Sequence, residues 1–351
     1  MSPANLGDTF RRLIAAGGPI GVARYMGESN AQYYASRDPL GAAGDFITAP
    51  EISQMFGELV GLWLADMWHR AGRPAPVLYV ELGPGLGTLA RDALRAMRQA
   101  GLVPLVHLIE ASGELRRVQR RAVPDAVFHD DLGTLPTGPP VLLAANEFLD
   151  ALPIRQLVRT PAGWRERMVA TDAQGQFVFV SGDRPLDAAL PAGRREAEVG
   201  AIFETSPAAA AITNEIAARL AAQGGAALVI DYGYVAPQFG STLQAVSRHR
   251  KLDPFATPGE ADLTAHVDFG ALAAVAEGAG ARWLGTATQG EWLDALGIGA
   301  RAGALAAAAP ERRDDLALTA RRLTDPAHMG ELFKVMGLSA PHWPAGEGFH
   351  A

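Results

Sequence analysis

The 351-residue sequence contains no cysteine. Disulfide bonds, thiolate nucleophiles and cysteine-ligated zinc or iron–sulfur sites are therefore excluded. It also lacks any run of about 18 apolar residues, so we expect no membrane insertion. The first ten residues lack the charged and apolar regions of a secretory signal. These absences predict a cytoplasmic protein.

An excess of positive charge is also missing. The 31 basic and 38 acidic residues give a formal net charge of −7. An acidic surface does not attract nucleic acid or anionic membrane, but it is compatible with a basic partner such as an arginine-bearing protein segment. Because 48% of the residues are hydrophobic, the chain can fill a sizeable core as one large domain with insertions, or as two domains. It contains no H-E-x-x-H motif and no close pair of histidines, so we expect no metal site.

The most informative segment is residues 77–88, where an apolar strand runs into a glycine-rich turn. Glu81 is followed by Gly83, Gly85 and Gly87 in the pattern Glu-x-Gly-x-Gly-x-Gly. Glycine lets a ligand approach bare main chain, and the amides that begin the next helix favour an electron-rich group. A dinucleotide fingerprint needs G-x-G-x-x-G, but a threonine stands in place of the third glycine, which counts against a nicotinamide oxidoreductase. An ordinary strand–helix turn is the alternative interpretation.

Strands and helices alternate after residue 76, which is typical of a parallel sheet covered on both faces. The pattern predicts an α/β fold with a mostly parallel sheet, an antiparallel edge strand at Phe333–Leu338 and a long ordered loop between residues 232 and 262. A helical amino-terminal region occupies residues 1–75, and residues 76–351 form the main domain with a β-rich insertion at about 154–200. The predicted parallel strands, one to five, are Val77–Leu82, Val106–Glu110, Ala126–His129, Val141–Ala145 and Ala226–Asp231.

Polar side chains lie at the ends of all five predicted strands. Because the carboxyl ends of parallel strands meet at one edge of a sheet, these groups predict a ligand cleft there. For each of them the alternative is a structural role, such as a solvated strand end or a helix cap. The residues are Glu81, Glu110, Asp131, Asn146 with Glu147, and Asp231.

Several longer motifs resemble those of one family. The segment from Gly44 to Glu58, GDFITAPEISQMFGE, resembles a signature of the MidA-like methyltransferases, which are relatives of the mitochondrial complex I assembly factor that methylates arginine. The resemblance covers nearly the whole chain. It continues through Glu81–Gly87, Asn146–Pro153, Asp231–Gly233, Pro258–Phe269, Thr288–Gly290 and Met329–Val335.

The resemblance implies a class I methyltransferase sheet (a Rossmann-like fold) with S-adenosylmethionine as cofactor. In this architecture Asp131 and Leu132 would lie against the adenine ring, and Thr48 belongs to an amino-terminal loop that closes over the cofactor as a lid. The residues expected at the cofactor are Glu81, Gly83, Pro84, Gly85, Gly87, Glu110, Asp131, Leu132, Asn146 and Thr48.

The resemblance further implies a protein arginine as acceptor, with a respiratory complex I subunit as the candidate partner. A guanidinium is a poor nucleophile because it is delocalised and stays protonated. A carboxylate pair would orient it, and we expect Glu147 to do so with assistance from Asp150 or Asp231. The residues expected around the acceptor are Asp45, Phe46, Tyr232, Asp262, His266 and Asp268.

Two further interpretations stay open. A methyltransferase acting on an amide or a small molecule would use Asn146 to bond the acceptor nitrogen. A non-catalytic assembly chaperone would keep the fold and bind S-adenosylmethionine without turning it over. The sequence also leaves a homo-oligomer open.

Overall fold

In the computed structural model, the described part of the chain is residues 5–36, 48–190, 196–247 and 250–349. The contacts within the chain divide it into two compact units. The first unit consists of Met1–Arg37, Asp150–Ala210 and Ala236–His266, and the second unit consists of Asp38–Leu149, Ala211–Val235 and Val267–Ala351.

The second unit contains a sheet in which the five predicted parallel strands are present. Its strands are β2 (Leu78–Leu82), β3 (Leu105–Ile109), β4 (Val127–His129), β5 (Val141–Asn146), β10 (Gly225–Tyr234), β14 (Val267–Asp268), β15 (Arg282–Thr288) and β16 (Phe333–Ser339). The order across the sheet is β15-β16-β10-β5-β2-β3-β4, and β14 pairs with the end of β10.

The strands β4, β3, β2, β5 and β10 run parallel to one another. All five residues of β2 are buried, as expected for a central strand that has helices on both faces. The predicted antiparallel strand is present as β16. It is antiparallel to both β10 and β15, and it lies one place in from the edge that β15 forms.

Helices cover this sheet, and two of them, α4 (Gln54–Arg70) and α5 (Thr88–Gln99), pack closely against each other. Two glycines one turn apart, Gly57 and Gly61, let α4 approach α5: a Cβ added at Gly61 would lie 2.6 Å from the Cα of Ala93. The helices of the second unit are α3 (Ala49–Ile52), α4 (Gln54–Arg70), α5 (Thr88–Gln99), α6 (Gly113–Ala122), α8 (Phe269–Gly278), α9 (Gln289–Ala295), α10 (Ile298–Ala308), α11 (Arg313–Thr324) and α12 (Met329–Leu332), and α7 (Pro207–Gln223) lies mostly in it.

A buried carboxylate fastens α4 to its neighbours. Glu58 is 5% exposed, and its oxygens accept hydrogen bonds from Arg95 at 2.9 Å and from Arg301 at 2.7 Å. Burial alone would raise the pKa of Glu58, but the bonds from the two guanidinium groups outweigh it, and the pKa is lowered. One acid on α4 therefore holds α5 and α10.

The first unit is built from two helices and two small sheets. Aromatic rings dominate its core, where Phe10 and Tyr25 have ring centroids 4.9 Å apart and Phe177 packs against both. The elements are α1 (Leu6–Gly17), β1 (Ile20–Gly21), α2 (Val22–Ser36), β6 (Arg155–Thr160), β7 (Gly163–Thr171), β8 (Phe177–Ser181), β9 (Ile202–Thr205), β11 (Gln244–Ser247), β12 (Arg250–Leu252) and β13 (Asp262–Thr264).

This arrangement refines the sequence predictions in two places. The segment predicted as a long loop before residue 262 instead contains β11 and β12, which pair with each other while β11 also pairs with β13. The predicted boundary at residue 75 also differs from the observed partition. The helices α1 and α2 belong with the β-rich insertion, because β1 pairs with β7, whereas α3 and α4 belong with the large sheet.

Among the described residues, none of the helices is long and apolar enough to cross a membrane.

The close approach of α4 to α5 generates a prediction. We expect Gly61→Ala to lower the free energy of unfolding by about 1–3 kcal/mol, because the new methyl group must push the main chain of α5 away. The matched control is Gly303→Ala in α10, where a Cβ would meet nothing within 4 Å. This change should stabilise the protein by about 0.5–1 kcal/mol, since alanine has the higher helix propensity. Chemical denaturation of both variants measures the difference, and equal effects would contradict the packing interpretation.

Candidate functional site

The turn between β2 and α5 is formed by three glycines in left-handed backbone. Gly83, Gly85 and Gly87 have φ angles of 57°, 54° and 79°, a conformation that other residues adopt only with strain. The N–H of Gly87 closes the turn by donating to the carbonyl of Pro84 at 2.7 Å. A Cβ added at Gly83 would lie 2.7 Å from Cδ2 of Phe148. Glycine is therefore required in this turn by the left-handed backbone at all three positions and, at Gly83, by the contact with Phe148.

Glu81 precedes this turn inside the sheet. It is 2% exposed, and the hydroxyl of Tyr79, two positions earlier on the same face, donates to its carboxylate. Burial raises the pKa of Glu81 to about 8, although the bond from Tyr79 acts in the opposite direction.

Glu110 follows β3, and a buried glutamine links it to the glycine turn. Its carboxylate accepts from the N–H of Ser112 at 2.8 Å and from the side-chain amide of Gln119 at 3.0 Å. The same amide nitrogen of Gln119 donates to the carbonyl of Gly85 at 2.8 Å. The sequence analysis did not predict a role for Gln119. Its signal was its place one turn after Leu115 on the buried face of α6.

Asp131 and Leu132 begin a short 3₁₀ turn after β4. The Asp131 carboxylate accepts from the N–H of Thr134 at 3.2 Å, and Asp131 itself is exposed. Leu132 is buried, and its carbonyl accepts from the guanidinium of Arg219 at 2.8 Å. The turn thus has a fixed main chain and an exposed acid beside it.

Two histidines that are distant in sequence meet beneath this turn. Nδ1 of His107 lies 2.8 Å from Nε2 of His129, and Nδ1 of His129 lies 2.9 Å from the hydroxyl of Thr134. No close histidine pair exists along the sequence, but the pairing of β3 with β4 creates one in space. In the described part of the chain, no cluster of three or more metal-ligating side chains occurs.

The turn after β5 is anchored by Asp231. This residue is fully buried in β10. One oxygen of its carboxylate accepts from the N–H groups of Phe148 at 3.2 Å and Leu149 at 2.9 Å, and the other accepts from the N–H of Tyr232 at 2.9 Å. Because the carboxylate satisfies three main-chain donors, its observed role is to hold the turn in place.

Glu147 is held in this turn with strained backbone. Its φ is 50°, one of two positive values for non-glycine residues in the described chain. Its N–H donates to the carbonyl of Ile230 at 2.8 Å. Its carboxylate accepts from Asn146 at 3.1 Å and from the N–H of Ala49 at 3.3 Å. Left-handed backbone at a non-glycine residue costs roughly 1–3 kcal/mol and concentrates at functional sites.

The neighbouring Asn146 provides a test of whether a cofactor fits. Its amide oxygen is buried and has no hydrogen-bond partner among the described residues, although its nitrogen donates to Glu147. A buried acceptor of this kind is costly unless a bound group supplies a donor. Together with the carboxylate of Glu110, this unpartnered acceptor fits a group that has sugar hydroxyls and N–H donors.

Three other predicted residues have contacts within the second unit. Thr48 is the N-cap residue of α3 without a side-chain capping bond. The ring of Tyr232 packs edge-on against Phe333 with centroids 5.6 Å apart. The carboxylate of Asp268 caps α8 by accepting from the N–H of Ala271 at 3.0 Å. Asp45 and Phe46 lie outside the described residues.

Asp150, Asp262 and His266 belong to the first unit. Asp150 and Asp262 are 6% and 5% exposed. The carbonyl of Asp150 accepts from the N–H of Ala265 at 3.0 Å, and the carboxylate of Asp262 accepts from the hydroxyl of Tyr34. The N–H of His266 donates to the hydroxyl of Thr242 at 2.9 Å. Two of the buried carboxylates of the first unit, Asp150 and Asp262, therefore lie on segments that are distant in sequence.

The histidine pair generates a pH prediction. Burial lowers the pKa of His107, and the charge of the His129 ring lowers it further. Burial also lowers the pKa of His129; Arg116 lowers it further, while Asp131 and Asp130 act in the opposite direction. A pKa below the ordinary value of about 6.5 means that the unfolded chain binds more protons. The resulting stability is present above pH of about 6.5 and is lost as the pH falls towards the lowered values.

We therefore expect the free energy of unfolding to fall between about pH 7.5 and about pH 5.5, and to fall less in His129→Gln. Chemical denaturation at the two pH values measures this. The control is His69→Gln, at an exposed position of α4, which leaves the pair intact and should keep the wild-type slope. Parallel pH profiles for wild type and His129→Gln would contradict the assignment.

The chain is similar to several known proteins. A family model described as "Putative S-adenosyl-L-methionine-dependent methyltransferase" matches residues 59–287. The chain is 36% identical to the mitochondrial protein arginine methyltransferase NDUFAF7 of Rattus norvegicus, over 94% of this chain and 83% of the relative. The protein of the same name from Homo sapiens is 37% identical, over 94% of this chain and 82% of the relative.

A solved structure is similar over nearly the whole chain. It is a protein from Burkholderia thailandensis bound to S-adenosyl-homocysteine, with 32% sequence identity and a TM-score of 0.85, covering 99% of this chain and 92% of that one. This likeness confirms the predicted class I methyltransferase fold.

One prediction is corrected by these findings. We expected a cytoplasmic protein, because the amino terminus lacks a secretory signal. The curated relatives are named as mitochondrial proteins, which contradicts that assignment. The absence of one kind of signal was insufficient evidence for a compartment.

The predicted cofactor and enzyme class are confirmed, since the family model names both. Because that model spans well over half of the chain and the relatives match it almost from end to end, the chain belongs to the MidA-like family of S-adenosylmethionine-dependent methyltransferases.

Proposed function

We propose that the protein transfers a methyl group from S-adenosylmethionine to an arginine side chain of a protein, with a respiratory complex I subunit as the candidate acceptor. The observation that carries this proposal is Glu147, a carboxylate on strained backbone beside the glycine turn. The names of the relatives support arginine as the acceptor, and the net charge of −7 suits a basic protein segment.

The cofactor-binding role falls to residues at the carboxyl ends of β2, β3, β4 and β5. When bound, the cofactor supplies an activated methyl group on a positively charged sulfur. The turn at Gly83, Gly85 and Gly87 would hold this cofactor, and Glu110 would accept from its ribose hydroxyls. The supporting residues are Glu81 and Pro84 at the turn, Asp131 and Leu132 at the adenine, Asn146, and Thr48 in a lid within residues 1–75.

The acceptor-binding role belongs to carboxylates. A guanidinium stays protonated and delocalised, so the enzyme must orient it and localise its charge on the nitrogens that do not react. Glu147 performs this work, assisted by Asp150. Asp231 acts through the turn it holds, because its oxygens accept from main-chain donors.

Other predicted residues extend the proposed acceptor site. The β-rich insertion at about 154–200 faces the acceptor protein. Asp262 and His266 contact its bound segment. Four more residues are assigned to contact the bound acceptor segment: Asp45, Phe46, Tyr232 and Asp268.

The cofactor half of the proposal is tested at the turn. We expect Gly83→Ala to weaken S-adenosylmethionine binding at least about tenfold, because a side chain at positive φ costs roughly 1–2 kcal/mol and its Cβ would strike Phe148. Isothermal titration calorimetry measures the dissociation constant. The control is Gly113→Ala at the start of α6, where a Cβ would meet nothing within 4 Å. Unchanged affinity in Gly83→Ala would remove the close-approach argument.

The acceptor half is tested by labelled methyl transfer to purified complex I subunits, followed by peptide mass mapping. We expect label on an arginine with the wild-type enzyme. Glu147→Gln should lose transfer by on the order of 100-fold and keep its affinity for S-adenosylmethionine, because the acceptor alone needs the charge.

The matched control is Glu114→Gln, an exposed acid on α6, which should retain full transfer. Label on a side-chain amide or a small molecule would replace arginine as the acceptor. Absence of turnover with every subunit would favour the assembly chaperone. Equal loss of binding and transfer in Glu147→Gln would reassign Glu147 to the cofactor.

A further inference from the structure

We propose that Gln119 of α6 is a positioning residue that orients the carboxylate of Glu110 for the ribose of the bound cofactor. The proposal rests on the cofactor role proposed above for Glu110. The side chain of Gln119 is fully buried. Its amide nitrogen lies 3.0 Å from Oε2 of Glu110 and 2.8 Å from the carbonyl oxygen of Gly85. One amide therefore connects the loops that follow β2 and β3.

The orientation of this amide is fixed by its neighbours. Both groups beside the nitrogen of Gln119 are acceptors, so the N–H donors fit at this place and the amide oxygen does not. That oxygen is buried and has no hydrogen-bond partner among the described residues. A buried acceptor without a partner opposes folding, so an apolar side chain of the same length would pack at less cost. We attribute the presence of an amide here to its two donors.

The carboxylate of Glu110 keeps acceptor capacity for a ligand. The residue is half-buried, and its two oxygens offer about four acceptor positions. Within the described part of the chain, the N–H of Ser112 occupies one position on Oε1, and Gln119 occupies one on Oε2. The guanidinium of Arg116 donates instead to the main-chain carbonyl of Glu110 at 2.6 Å. Positions on both oxygens thus remain for ribose hydroxyls.

The donors on the two oxygens come from different places in the fold. Ser112 belongs to the same loop as Glu110, whereas Gln119 is tied to the glycine turn through the carbonyl of Gly85. With one donor on each oxygen, a rotation of the carboxylate breaks at least one contact. Because a hydrogen bond weakens when its direction is lost, the bond to a ribose hydroxyl depends on this orientation. Gln119 therefore relates the carboxylate to the turn that would hold the cofactor.

The experiment compares Gln119→Met with Gln289→Met by isothermal titration calorimetry. Gln289 of α9 is also fully buried. Its nitrogen donates to the carbonyl of Leu323 at 2.9 Å, and its oxygen likewise has no partner among the described residues. Both variants lose a buried amide and keep the length of the side chain, but only Gln119→Met releases Glu110. The probes are S-adenosylhomocysteine and its 2′,3′-dideoxyribose analogue, which lacks the hydroxyls assigned to Glu110.

We expect Gln119→Met to weaken binding of S-adenosylhomocysteine about tenfold, as loss of a hydrogen bond to a charged group predicts. Its affinity for the dideoxy analogue should change by less than about twofold, because the effect passes through the ribose hydroxyls. Gln289→Met should keep the wild-type affinity for both ligands. In a Glu110→Ala background, Gln119→Met should cause no further loss.

A second variant keeps the test available if Gln119→Met does not fold. Gln119→Glu retains the length of the side chain and replaces the donor nitrogen by an oxygen, which faces two acceptors. It should show the same difference between the two ligands.

The results that would overturn the inference are distinguishable from failure of the proposed cofactor contact. In Gln119→Met, an equal loss for both ligands, or wild-type affinity for both, removes the positioning role and leaves Glu110 at the ribose. The same ligand-dependent loss in Gln289→Met also removes it, since any buried amide would then have this effect. A wild-type protein that binds the two ligands equally overturns the contact between Glu110 and the ribose, and this inference with it.

Discussion

Three main-chain N–H groups converge on the buried carboxylate of Asp231, and the geometry of the candidate site depends on this contact. Two of the donors, Phe148 and Leu149, belong to the turn after β5, and the third is Tyr232. Each of these buried groups would cost about 1–3 kcal/mol without a partner. The contact therefore keeps the turn in the one conformation that carries Glu147 at positive φ and that brings Phe148 against Gly83.

A similar arrangement occurs at the loops that follow β2 and β3. Gln119 joins the carbonyl of Gly85 to the carboxylate of Glu110, so two loops that follow different strands have a fixed separation. Beneath the next loop, His129 and Thr134 extend a chain of contacts from the interior of the sheet to the turn at Asp131. In both places a side chain from a neighbouring element supports a loop that carries a predicted binding residue.

The sequence predicted the sheet well because its signals are local. Val77–Leu82 and Val141–Ala145 are apolar runs bounded by turn residues, and each lies within one residue of the observed strand at both ends. The glycine turn was also a local signal. The contacts of Gln119 and Tyr34 could not be predicted, since each depends on elements that are far apart in the chain. The strands β11 and β12 were missed because their segment is rich in glycine, proline and charge, and only pairing in space makes it a sheet.

The close packing that Gly57 and Gly61 allow between α4 and α5 also affects the glycine turn, because α5 directly follows that turn. These glycines let α4 lie against α5, and Gly87, the last glycine of the turn after β2, is the N-cap residue of α5. Any change that forces the two helices apart must tilt α5 about its far end or lift its first residue from the sheet. Variants that enlarge either glycine would then weaken donor binding through the displacement of α5.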